Sequence, residues 1–116
     1  MKVLSVAHDL EVAEARETAL REAGFDVSSA RDFRQLTDLC KQHRFELAII
    51  GHAFDPEVKR AVAAILGEYK PTPAILEIYV GQPTLQNATA RLGSLDLDDL
   101  VHQVRQLMQE IRSRSA

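Results

Sequence analysis

The sequence predicts an α/β protein: a three-layer, doubly wound sandwich whose helices cover both faces of a five-stranded parallel sheet. Two observations predict it. Short apolar runs and longer amphipathic stretches alternate five times along the 116 residues, and that alternation is the pattern of a parallel sheet with crossover helices. The run ELAII, 46–50, is apolar enough to be covered on both faces, as central parallel strands are. Right-handed crossovers then allow the strand order 2-1-3-4-5.

The elements follow in order. KVLSV, 2–6, reads as a buried strand. Asp9 can cap a helix in which Val12, Ala15, Ala19, Leu20 and Ala23 form the inward stripe, with Glu14, Arg16, Glu17, Arg21 and Glu22 on the other faces. Gly24 ends it, because glycine tolerates the left-handed position after a helix. FDVSS, 25–29, alternates like an edge strand. Phe33, Leu36, Leu39 and Cys40 mark the inner face of a second helix, with the lone cysteine packing as a small hydrophobe. After the 46–50 strand come Gly51 and His52. Asp55-Pro56 then starts a third helix, with Asp as N-cap and Pro at the first helical position. Its stripe is Val58, Ala61, Val62, Ile65 and Leu66. The triplet Pro71 to Pro73 precedes a fourth strand, AILEI, 74–78. The stretch 80–89 has weak periodicity and reads as a loop or one short helix, so the fourth helix of the sandwich is short or absent. Residues 90–92 form the stub of a fifth strand. A long last helix carries Leu100, Val101, Val104, Leu107, Met108 and Ile111 inward. Asp96, Asp98 and Asp99 lie at its start and Arg112 and Arg114 at its end, a polarity that suits the helix dipole.

Length and composition narrow the classes. The length fits one domain, 1–116, with a core that needs no staples. No apolar run approaches the roughly 20 residues of a membrane span, and MKVLSVAHD is a poor signal peptide. One cysteine makes no internal disulfide and fits a reducing, cytoplasmic setting. Residues 1–58 carry 7 basic and 11 acidic groups, and 59–116 carry 7 and 6. No dense positive patch exists to neutralise phosphates, so direct nucleic-acid binding is not expected.

In the predicted sandwich, ligand sites lie at the carboxyl ends of the strands, beside the switch point between strands 1 and 3. The residues placed there are Ala7, His8, Asp9, Gly51, His52, Ile78 and the region of Gly93 and Ser94.

The chain resembles the receiver domains of two-component signalling, the response regulators of phosphorelays, over essentially its whole length. MKVLSVAHDLEVAEARETALREAGFDV carries the pattern of the first strand and helix, including the AGF that closes the helix. FELAIIG lies where the family has its phosphorylation strand, and Thr72-Pro73 precedes the fourth strand as in the family. The resemblance also implies what the chain lacks. The family's acidic magnesium-binding pair falls on Ala7 and His8, with Asp9 at a third, non-ligating position. Its phosphoacceptor aspartate falls on Gly51. Its threonine or serine after strand 4 falls on Ile78, just after Glu77, and its lysine after strand 5 falls on Gly93 or Ser94. Magnesium needs hard oxygen ligands and phosphoryl transfer needs a carboxylate nucleophile, and neither stands at these positions. The resemblance therefore implies a pseudo-receiver with no magnesium site, no cofactor and no enzymatic activity. With no effector domain in the 116 residues, the expected output is contact with a protein partner or a second copy. Tyr79, Val80, Leu85 and Leu95 are candidates for that surface.

The remaining polar residues offer a second reading, a small-ligand or metal sensor at the same sheet edge. His8 and His52 follow adjacent central strands, with Asp9 and Asp55 close by. Two imidazoles and a carboxylate suit zinc or another borderline metal. The bland reading makes them loop groups satisfied by backbone or water. Glu77 interrupts an apolar strand, and a buried carboxylate needs a partner. It either pairs with His8 or His52 or sits at the strand edge facing solvent. Cobalamin-binding domains share the sheet order, but Val6 and Glu11 replace an aspartate and a glycine of their motif. A flavin phosphate loop is absent, since AHDLE is not rich in Ser, Thr or Gly.

Overall fold

A computed structural model describes residues 2–115; Met1 and Ala116, the ends of the expected 1–116 domain, lie outside the described residues. The elements are β1 (Lys2–Val6), α1 (Leu10–Glu22), β2 (Asp26–Ala30), α2 (Phe33–Gln42), β3 (Leu47–Ile50), α3 (Pro56–Gly67), β4 (Ala74–Ile78), β5 (Ala90–Leu92) and α4 (Leu97–Ser115). The strands form one sheet in the order β2-β1-β3-β4-β5, and every neighbouring pair is parallel. This is the predicted sandwich, and β1, β4 and β5 have the predicted bounds.

Alternation along the strands divides the core in two. Val3, Leu47, Ile49, Leu76 and Ile78 point to one face and pack with Leu20 of α1 and with Leu100, Val104, Leu107 and Met108 of α4. Leu4, Val6, Ala48, Ile50 and Ile75 point to the other and pack with Leu36 of α2 and with Val62 and Leu66 of α3. A strand covered on both faces must be apolar at successive positions, and all four residues of β3 are buried.

Local chemistry sets the helix ends. Asp9 Oδ1 accepts the Glu11 N–H at 2.9 Å, and Asp32 Oδ1 accepts the Gln35 N–H at 2.8 Å, so each relieves a donor that the first turn leaves unpaired. Gly24 has φ +96°. Its N–H donates to Arg21 O and the Phe25 N–H donates to Leu20 O, the pairing that closes a helix through a left-handed residue.

Several expectations need correction. In α1 the buried residues are Ala13, Arg16 and Leu20, while Ala15 is exposed. Leu20 is buried as expected and Val12, Ala19 and Ala23 are half-buried, but Arg16, expected outside, lies inside. In α2, Leu36 is buried but Phe33 is 44% exposed, and Cys40 is half-buried against the core rather than within it. Burial raises the Cys40 thiol pKa. Asp55 occupies the N-cap position of α3, followed by Pro56, but its side chain makes no capping hydrogen bond. No helix joins β4 to β5, and Leu85 of that connection is buried instead of exposed. Among the described residues no helix is long and apolar enough to cross a membrane.

Candidate functional site

The site forms where β1 and β3 end side by side. Val6 and Ile50 are register partners, and the Gly51 N–H donates to Val6 O at 2.9 Å. The chain then leaves β1 through Ala7, His8 and Asp9, and leaves β3 through Gly51 and His52. These five residues line one small cavity of about 80 Å³ together with Arg16 of α1.

Arg16 decides the character of this cavity. It is 4% exposed, and one guanidinium nitrogen, Nη2, lies 3.1 Å from His52 Nδ1. Arginine only donates, so Nδ1 is the acceptor and the imidazole proton sits on Nε2. A Cβ built on Gly51 would stand 2.8 Å from Arg16 Nη1 and 3.0 Å from Val6 O. The guanidinium therefore occupies the space into which a side chain at position 51 would project. Burial lowers the Arg16 pKa, yet arginine retains its proton in proteins. Burial, and then the charges of Arg16 and Lys59, also lower the His52 pKa.

The expected residues divide into those the fold gathers and those it separates. Ala7, His8, Asp9, Gly51 and His52 come together as predicted. The proposed metal set does not assemble: among the described residues no three His, Cys, Asp or Glu side chains group so as to hold a metal ion. The Asp9 carboxylate is engaged in capping α1, and His52 faces a cation. Asp55 lies with His8 on a neighbouring cavity of about 360 Å³, walled by Phe33, Leu36, Phe54, Val58 and Val62. Ile78 is 1% exposed and belongs to the core. Ser94 donates to Asp99 Oδ2 at 2.6 Å and accepts the Asp96 N–H, so it serves the start of α4. Gly93 leaves room for the Tyr79 ring, whose Cζ would be 2.9 Å from an added Cβ.

Glu77 pairs with neither histidine nor solvent. It is fully buried, and its Oε2 accepts from Lys59 Nζ at 2.9 Å and from the Thr84 N–H at 2.8 Å. Its Oε1 accepts the Leu85 N–H at 2.9 Å. Lys59 Nζ also donates to Ile78 O at 3.0 Å. Burial alone would raise the Glu77 pKa; the two backbone donors and Lys59 outweigh it, and the carboxyl titrates below its ordinary value. The correction follows from register: Glu77 shares a face with Ile75, toward α3, where Lys59 stands.

Sequence reasoning missed Arg16 and Lys59. The signal was available in the spacing. Ala13, Arg16 and Leu20, like Lys59, Val62 and Leu66, stand at i, i+3 and i+7 on one helix face. A cation in such a stripe is ordinarily assigned to solvent, and only a partner across the fold reverses the assignment.

No protein-family model and no curated protein matches the chain. Solved structures do. The chain is similar to a CheY-like response regulator receiver domain protein from Methanospirillum hungatei JF-1, at 21% identity and TM-score 0.77, covering 97% of each chain. It is similar to a response regulator from Thermotoga maritima at 16% identity and TM-score 0.79, covering 93% of this chain and 97% of that one. The receiver domain of an HD domain-containing protein from Pseudomonas fluorescens Pf-5 gives 17% identity and TM-score 0.77, covering 97% of each chain. At these identities the likeness speaks for architecture, and the architecture of this chain is the CheY-like receiver fold.

Proposed function

We propose that the chain is a receiver-like signalling module that works without phosphorylation and without enzymatic activity, through contact with a protein partner or a second copy of itself. One observation carries the reading. The position that the resemblance assigns to the phosphoacceptor is Gly51, and the space beside it is filled by the Arg16 guanidinium. Ala7 and His8, at the positions of the acidic pair, supply no carboxylate for magnesium. For output, Val80 and Leu95 are 65% and 53% exposed on the segments flanking β5, where no helix covers the connection from β4. We assign the contact surface to these two exposed apolar side chains.

The test is intact-protein mass spectrometry under denaturing conditions after incubation with acetyl phosphate and magnesium. The expected mass is unchanged. A phosphoryl adduct that survives denaturation overturns the reading and moves attention to Asp9, Asp55, His8 and His52. For the output surface, Val80→Glu and Leu95→Glu weaken self-association or partner binding while leaving the circular dichroism spectrum intact. A wild-type chain that stays monomeric at high concentration in sedimentation removes the second copy as the partner.

A further inference from the structure

Arg16 fills the space beside Gly51, and its charge there has no counterion among the described residues. A buried charge is expensive unless it is paired and hydrogen-bonded. Arg16 is 4% exposed, and its side-chain partner is a half-buried imidazole, with no carboxylate within ion-pair distance among the described residues. Lys59, the other buried cation, has Glu77 at 2.9 Å. Arg16 has nothing of the kind, and it borders a void.

We propose that this cavity is a reversible binding site for one small oxyanion, of the size and chemistry of inorganic phosphate, held by the Arg16 guanidinium and the His52 imidazole. It rests on the reading above in one respect, that no side chain in the pocket takes up a phosphoryl group covalently.

Four features support it. The guanidinium is a planar fork of donors that matches the oxygens of phosphate or carboxylate, and among the described residues the His52 bond is the only hydrogen bond it makes. His52 receives that bond at Nδ1, so its remaining ring N–H is a second donor. The cavity holds about 80 Å³, room for a few waters or one small oxyanion, with water occupying about 30 Å³ in the liquid. Gly51 lets the guanidinium reach the cavity wall, because a Cβ there would press on Arg16 Nη1 and Val6 O. Asp9 lines the same cavity and opposes an anion, but its carboxylate is exposed and accepts the Glu11 N–H. The unpaired buried charge is Arg16, and an anion neutralises it where water cannot.

The probe is inorganic phosphate, titrated into isotope-labelled protein at constant ionic strength and followed by the amide resonances of Gly51 and His52 and by Arg16 Nε–H. The expected result is a saturable shift at these groups, absent with chloride at equal ionic strength and competed by sulfate. Arg16→Gln weakens binding about tenfold or more, the scale of a lost charge-assisted hydrogen bond. His52→Gln, at a half-buried position, provides a second variant that keeps the charge. No saturable shift in the wild-type protein at millimolar phosphate overturns the proposal, as does equal binding by Arg16→Gln. O-phosphoserine binding as tightly as phosphate overturns the assignment to a free ion. The phosphate bound here leaves on denaturation. A covalent adduct in the denatured mass marks failure of the proposed function, while a bare mass without titratable shifts marks failure of the anion site alone.

Discussion

Lys59 and Glu77 make the only ion pair with both partners buried among the described residues, at 4% and 0% side-chain exposure. Such a pair adds little over a hydrophobic replacement, but removing one member strands the other. Lys59→Met leaves the Glu77 carboxylate with only the exposed Arg91, at 4.0 Å, as a cation, and the expected loss is about 3 kcal/mol of unfolding free energy, read from urea denaturation. A loss within experimental error of zero would mean that Arg91 and the two backbone donors suffice. Ser5 and Ser29 give the opposite case. They are register partners on β1 and β2, and their hydroxyls are buried with no hydrogen-bond partner. Ser5→Ala removes an unsatisfied group, so it leaves stability unchanged or raises it by up to about 1 kcal/mol in the same assay.

The connection from β4 to β5 is the element that departs most from a doubly wound sandwich. A crossover ordinarily covers the sheet with a helix; here residues 79–89 cover it as irregular chain, with Leu85 tucked into the core beside Ile75. An irregular segment against a sheet must satisfy its own backbone donors. Glu77 does this by accepting the Thr84 and Leu85 N–H groups, while the Thr89 N–H donates to Ile75 O and Arg91 Nη2 donates to Leu85 O. Glu77→Gln keeps the shape but removes the charge from these bonds. Hydrogen exchange at Thr84 and Leu85 is expected to accelerate several-fold in this variant, while β1 and β3 amides slow to exchange stay slow. Uniform acceleration across the sheet would show instead that the carboxylate supports the whole domain and not this connection.

At the scale of the whole molecule, stability depends on pH through two groups whose folded-state pKa values are depressed. His52 is held neutral by burial and by the neighbouring cations, and Glu77 is held ionised by its donors. In each case the unfolded chain binds the proton more readily, so folding stability falls on acidification. The His52 contribution is fully present above its ordinary value of 6.5 and declines as pH falls through that value toward its lower folded pKa. The Glu77 contribution is fully present above 4.5 and is lost as pH falls toward its own. Urea midpoints measured from pH 7.5 to 3.5 (about the range in which both groups titrate) are expected to fall in two stages. His52→Gln abolishes the upper stage at that residue; an unchanged profile would refute its assignment to His52.

The strand and helix order, the parallel sheet and its 2-1-3-4-5 arrangement were legible in the sequence, because apolar periodicity and short connections leave few ways to bury those faces. So were the stop at Gly24 and the residues brought to the sheet edge, since the ends of β1 and β3 must lie together once both strands are central. The residue types at that edge, Ala7, His8, Gly51 and His52, were legible as well, since a residue type at a position needs no geometry to be read. The tertiary structure alone decided where the charges go. Whether Arg16, Lys59 and Glu77 face water or core depends on partners 18 to 36 residues away, and Arg16 fits inside only because Gly51 has no side chain. Helical spacing gives a cation two readings, solvent or core. The energy that separates them lies in the desolvation of the charge and the group that meets it, and both are properties of the folded chain.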